Sequence, residues 1–291
     1  MGQNNTTVMS DSRERATTTM TIDAPAATIR RRPLPGRWRT LVTPAQSGAA
    51  NMALDHALMD RARRTGERVF RVYTWSAPTL SLGRHQAARG RIDPAVARAM
   101  GVALVRRPTG GRALLHHREV TYSVTASLGP DGSVRDWYES INAVLLIALR
   151  SLGVKADPAS GVGRTPAPGT ASCFVRADEG EISVEGRKLV GSALLRQGDA
   201  LLQHGSILLD DDQGMLDRLL PLDEARPTPA GTIRQSLGRL PAVHDVASAL
   251  FAALRTADVE DCTPLGTDAR LQADAARAER IYASEAWTFR T

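Results

Sequence analysis

The chain has 291 residues, 37 lysine and arginine side chains against 31 aspartate and glutamate, a net charge of +6 at pH 7 and 42% hydrophobic content, which suits one large or two small packed domains. Two cysteines, Cys173 and Cys262, exclude a disulfide framework and a cysteine metal cluster, and no apolar run approaches the ~20 residues that span a bilayer, so a cytoplasmic protein with no membrane contact is expected. Positive charge raises nucleic acid as a partner, but residues 1–37 hold six arginines against three acids, half of the net charge, and no nucleic-acid partner is expected.

Residues 1–37 are rich in Thr, Ser, Ala and Pro without apolar periodicity and are expected to form a disordered basic tail, leaving 38–291 as one catalytic domain. From Trp38, WRTLVTP reads as a short strand. Ser47 then caps a helix in which Met52, Leu54, Ala57, Leu58 and Ala62 recur near helical spacing, and Gly66 ends it. VFRVYTW and TLSLG read as strands split by a turn at Ser76-Ala77-Pro78. Asp93-Pro94 opens a short helix to about Met100; VALVRRP reads as a buried strand running into a glycine turn, and EVTYSVTASL as the strand after it. Ser133 to about Leu152 predicts an amphipathic helix closed by Gly153. Residues 157–171, dense in Gly and Pro, predict a long mobile connection. ISVEGRKLVGSALLRQGDALLQHGSILLD then reads as successive strands turned at Glu185-Gly186 and Gln197-Gly198-Asp199. Helices at 241–256 and about 268–285 close the chain. Antiparallel strand order with helices at both ends predicts an α+β fold: a mixed, largely antiparallel sheet with flanking helices.

Only two basic residues, Lys155 and Lys188, are lysine; the rest are arginine. Lysine is a compact charge on a flexible stem, whereas arginine is a broad planar fork, so Lys188 is either a chance surface base or one kept where guanidinium does not fit. Fifteen positions before it lies Cys173, in a loop-borne SCF. Alone, such a cysteine reads as a small buried hydrophobe; with an ammonium nearby, which stabilises the thiolate, it reads as a nucleophile. Cys262, beside acidic residues in VEDCTPLG, reads as structural.

RRPTGGRALLHHREVTYSV places Gly110-Gly111 directly after a strand. This is either an ordinary hairpin or a turn whose backbone N–H groups approach a carboxylate, phosphate or thioester carbonyl, with Arg106, Arg107 and Arg112 adding charge. Thr109 and His116 flank the turn as further candidates for the same pocket. The segment matches neither common nucleotide fingerprint. His116 and His117 are adjacent on a strand and point to opposite faces, so they make no metal site together, and no metal is expected.

Together WRTLVTPAQSGAANMALDHAL, VYTWSAPTLSLGRHQ, RRPTGGRALLHHREVTYSV, SCF, VEGRKLVGSALLRQ, LLQHGSILLD and ERIYASEAWTFR resemble the biotin/lipoate protein ligase superfamily, and within it the octanoyltransferase branch of the lipoate ligase A-like proteins. The resemblance covers Trp38 to the C-terminus. It implies a catalytic domain shared with biotin ligases and class II aminoacyl-tRNA synthetases, with Cys173 and Lys188 as catalytic residues and Arg107, Thr109, Gly110, Gly111 and His116 binding substrate. It also implies octanoyl-acyl carrier protein as donor, lipoyl domains of 2-oxoacid dehydrogenase complexes or the glycine cleavage protein as acceptors, and no cofactor. The chain departs from the pattern in two places. His117 stands where the family has an aspartate, and VRADEGE follows the cysteine where the family has a Pro-Ser-containing aromatic stretch.

Three activities are distinguishable on these residues. The first is acyl transfer through a Cys173 thioester to a lipoyl-domain lysine. The second is ATP-dependent lipoate ligation through a lipoyl-adenylate with Mg²⁺, in which Cys173 is incidental. The third, a nucleic-acid binder, rests on net charge alone.

Overall fold

The computed structural model describes Met1 and residues 33–129, 132–159, 181–220, 229–257, 259–266 and 268–291. Most of the expected tail, most of the expected 157–171 connection, and Cys173 lie outside the described residues.

β1 (Arg37–Val42) leads into α1 (Gly48–Thr65). The Ser47 hydroxyl accepts a hydrogen bond from the Ala50 N–H, and Gly66, at φ 69°, donates its N–H to Ala62 O and stops the helix, as the sequence predicts. A large sheet follows. Its members are β2 (Arg68–Tyr73), β6 (Glu119–Ser127), β7 (Ala156–Pro158), β8 (Ile182–Val184), β9 (Arg187–Gln197), β10 (Ala200–Leu208) and β11 (Asp261–Pro264), in the order β11-β1-β2-β6-β10-β9-β8-β7. β1 runs parallel to β2 and β11, and the other pairs are antiparallel. The fold is the expected α+β type with a mostly antiparallel sheet.

The two strand runs around Ser76-Ala77-Pro78 part into different sheets. β3 (Thr79–Leu82) pairs with β4 (Ala103–Arg106) and β5 (Leu114–His116) in a three-stranded sheet of its own, where Leu80, Leu82 and Leu115 pack against Ile92, Ala97 and Leu216. The N-capping carboxylate of Asp93, with proline at the first turn, starts α2 (Pro94–Ala99) beside this sheet.

On one face of the large sheet, α3 (Val134–Ser151) and α5 (Val243–Arg255) bury Ile141, Leu145, Leu250 and Leu254 against Phe70, Val120, Tyr122, Val124, Leu201 and Ile207. Leu34 joins this core, so packing starts before Trp38. On the other face lies α1, and α6 (Ala269–Tyr282) packs on α1 and the sheet through Leu271 with Ala57, Leu58 and Val69. The single helix expected over 268–285 is broken: the Ser284 hydroxyl accepts from Trp287 N–H and starts a new turn, α7 (Glu285–Thr288). That turn docks on β4, where Trp287 Nε1 donates to Arg106 O at 2.9 Å and Arg106 Nε donates to Thr288 O at 2.9 Å. No helix among the described residues is long and apolar enough to cross a membrane.

Candidate active site

Strand alternation sends Glu119, Thr121 and Ser123 of β6, and His204 and Ser206 of β10, to the α1 face, while Val120, Tyr122, Val124 and Ile207 go to the apolar core. Between α1, the small sheet and this polar row lies a pocket walled by Met52, Tyr73, Trp75 and Leu114 and reached by Arg107, His116 and His204. Its floor includes Gly191 and Gly205. A Cβ on Gly205 would stand 2.5 Å from Gly191 O and 2.7 Å from Tyr122 Cε1, so there is no room for a side chain at that position.

The first polar cluster runs Arg107, Ser81, His116, Glu119. Arg107 Nη1 donates to Ser81 Oγ at 2.9 Å, Ser81 Oγ lies 2.8 Å from His116 Nε2, and His116 Nδ1 lies 2.7 Å from Glu119 Oε1. A carboxylate only accepts, so Nδ1 is assigned the proton. Trp75 stacks on the His116 ring at 4.0 Å and donates from Nε1 to Thr121 Oγ1 at 2.7 Å; Thr121 in turn donates to Glu119 Oε1 at 2.5 Å. His116 is thereby fixed as a flat wall of the pocket, both nitrogens engaged.

The second cluster centres on Asp55 of α1. Oδ1 accepts from Arg71 Nη1 and from Ser123 Oγ, each at 2.7 Å, and Oδ2 accepts from Tyr73 OH at 2.9 Å. His204 Nδ1 lies 3.3 Å from Oδ2, and its Nε2 lies 2.7 Å from Thr109 Oγ1. Burial alone would raise the Asp55 pKa, but Arg71, His204 and Ser123 outweigh it and hold the carboxyl below its ordinary value. Burial pushes the His204 imidazole below its ordinary value despite Asp55, and it pushes the Tyr73 phenol well above its own. Arg71 and Asp55 are both fully buried, so each requires the other: an unpaired charge there is strongly destabilising.

The glycine turn wraps around the Arg107 guanidinium, which donates to Gly110 O at 3.0 Å and Arg112 O at 2.6 Å. Gly111 has φ 91°, and a Cβ on it would stand 2.8 Å from Arg107 Nη2, whereas a Cβ on Gly110 meets nothing within 4 Å. Thr109 lies against His204 rather than merely beside the turn. His117 points away from His116 and bonds Asp212 at 2.6 Å from an exposed position.

Lys188, second residue of β9, is buried, with its Nζ 2.6 Å from Glu181 Oε2; it is no chance surface base. The pair faces Tyr138 of α3, whose phenol is raised mainly by burial, with Glu181 raising it further and Lys188 opposing. Cys262 on β11 is partly buried, and burial pushes its thiol up, away from reactivity.

Asp55, Arg71, His204, Ser81 and Trp75 were not singled out from sequence. The available signal was a charge inside an apolar pattern: Asp55 on the buried stripe of α1, Arg71 within VFRVYTW, and His204 within LLQHGSILL.

A family model described as the lipoyl protein ligase A/B catalytic domain matches residues 47–255. The octanoyltransferase LipM of Carboxydothermus hydrogenoformans is 40% identical over 220 residues, 74% of this chain and 80% of that protein. LipM of Kyrpidia tusciae is 47% identical over 200 residues, 65% of this chain and 73% of that one. Among solved structures, lipoate-protein ligase A bound with ATP superposes with a TM-score of 0.71 at 22% identity, over 88% of this chain and 99% of that chain. A bipartite lipoate protein ligase from Thermoplasma acidophilum, described with its E2 lipoyl domain, gives 0.69 at 20% identity over 87% and 96%. At such identities these two share the fold.

Proposed function

The chain belongs to the lipoyl protein ligase A/B catalytic domain family, and within it we propose an octanoyltransferase of lipoate biosynthesis that moves the acyl group through a thioester on Cys173. Identity of 40–47% to octanoyltransferases across some 200 residues carries the activity; the ligases share only the fold.

In the proposed reaction the Cys173 thiolate attacks the carbonyl of an octanoyl thioester on acyl carrier protein. The C–S bond to the carrier breaks and its thiol leaves as thiolate. A deprotonated lysine amine of a lipoyl domain then attacks the acyl-enzyme carbonyl, forming the amide; Cys173 departs as thiolate, and the amine's second proton is lost to a base or water. A cysteine suits this path because its thiolate is accessible near neutral pH. Lys188 supplies positive charge at the thiolate and at the developing oxyanion. We assign the octanoyl chain to the apolar wall formed by Met52, Tyr73, Trp75 and Leu114. Arg107, Thr109 and His116 shape its polar end, and Gly110 and Gly111 give the backbone access to the donor carbonyl.

The test is intact mass spectrometry after incubation with octanoyl-acyl carrier protein in the absence of ATP. A hydroxylamine-labile octanoyl adduct is expected on the wild type and Cys262→Ser, and none on Cys173→Ser. Continued transfer to a lipoyl domain by Cys173→Ser would sink the covalent route, and a requirement for ATP with release of AMP would return the chain to ligation.

A further inference from the structure

Lys188 and Glu181 stand on one hairpin. Glu181 precedes β8, Lys188 is the second residue of β9, and the two strands are joined by Glu185-Gly186 with φ values of 50° and 73°, a two-residue turn that fixes register. Lys188 pairs with Ser183 across the hairpin, and the pairing shifts between Ile182 and Ser183. Such irregularities re-aim side chains, and here Glu181 reaches the lysine's side chain. The backbone of Lys188 is also anchored, its carbonyl accepting from Gly231 N–H at 3.0 Å.

The ammonium and carboxylate side chains are 4% and 7% exposed and 2.6 Å apart. A buried lysine without a counter-charge gives up its proton readily, because burial disfavours the charged form. Its field on a neighbouring thiol would then vanish. Among the described residues, Tyr138 of α3, which feels both charges, and Tyr122 of β6, which feels Glu181, are titratable groups facing the pair. Both phenols are raised by burial, so neither supplies a negative charge near neutral pH. Glu181, with its carboxylate 2.6 Å from the ammonium, does.

We propose that Glu181 is a positioning residue whose carboxylate keeps the buried Lys188 ammonium charged and fixes its aim. The inference rests on Lys188 being the lysine of the acyl-transfer site. Glu181 does not touch substrate; it acts through Lys188.

The chain's two lysines make the test direct. Protein labelled with ¹³C,¹⁵N-lysine gives two side-chain resonances, assigned with Lys155→Arg, and the Lys188 resonance is followed against pH. Glu181→Gln should lower the Lys188 midpoint from the ordinary ~10.4 by about three units or more, to near neutrality, and Glu181→Asp, which keeps the charge at a longer reach, should lower it less. An unmoved Lys188 midpoint in folded Glu181→Gln overturns the proposal; if that variant does not fold, an unmoved midpoint in Glu181→Asp does so. The second readout is alkylation of Cys173 by iodoacetamide in a Cys262→Ser background. Glu181→Gln should react about tenfold more slowly than wild type at neutral pH, a deficit that shrinks as pH is lowered and Lys188 regains its proton. Lys188→Ala should show the opposite, a deficit that shrinks as pH is raised. If Lys188→Ala alkylates like wild type, the lysine's activating role in the proposed function fails. If Lys188→Ala is slow while Glu181→Gln matches wild type, only the role of Glu181 fails.

Discussion

The two faces of strands β6 and β10 are built from opposite chemistry on one backbone. One face sends Val120, Tyr122, Val124 and Ile207 into an apolar core under α3 and α5; the other sends Glu119, Thr121, Ser123, His204 and Ser206 into hydrogen-bonded contact with α1 and the small sheet. The apolar face is tolerant, because its contacts are many, weak and non-directional. The polar face is not, because each buried donor or charge depends on particular partners. The pocket lies on the polar face, so the scaffold there is built of groups with fixed direction and charge.

The largest expected effect comes from breaking the central ion pair. Asp55→Ala leaves the fully buried Arg71 without its carboxylate and should cost about 3–5 kcal/mol in denaturant unfolding, or prevent folding. Leu250→Ala on the opposite face removes packing only and should cost about 2–4 kcal/mol. A loss for Asp55→Ala no greater than that of a surface substitution would remove the contrast.

Next in size is the glycine turn. Gly111→Val requires a branched side chain at φ 91° against Arg107, so it should reduce both stability and turnover, while Gly110→Val, facing open space, should leave the fold intact. The pair separates a turn that approaches the donor from one that only wraps Arg107. If Gly110→Val turns over like wild type, Gly110 has no part in donor binding.

The two faces also differ in their response to acid. The folded-state pKa of His204 lies below its ordinary 6.5, so as pH falls below about 6.5 the unfolded chain takes up a proton before the folded one does. Stability contributed above that value is lost as pH falls toward the folded pKa. Asp55, also lowered, loses its contribution further down, below its ordinary 3.8. His204→Gln should therefore flatten the stability profile just below pH 6.5, read by denaturant midpoints at a series of pH values, whereas substitutions on the apolar face should shift the profile without changing its slope.

The smallest effect is expected at the sheet edge. Cys262→Ser, on β11 with a thiol already pushed up by burial, should change stability by no more than about 0.5 kcal/mol and leave turnover near wild type.

The sequence by itself determined the helices α1, α2 and α3, their caps and the β9–β10 hairpin, because those depend on local spacing, capping side chains and turn glycines, which act over a few residues. It also singled out Lys188 through its rarity among arginines. It did not separate β3 from β2, did not break the last helix at Ser284, and missed the Asp55–Arg71–His204 cluster. Pairing partners are chosen by what each strand can bury against, and no local pattern records that. Asp55 and His204 are 149 positions apart, and a charge within an apolar run declares itself only when the fold brings its partner within 3.3 Å. The same holds for Glu181, an acid in a charged stretch until the hairpin closes it onto Lys188.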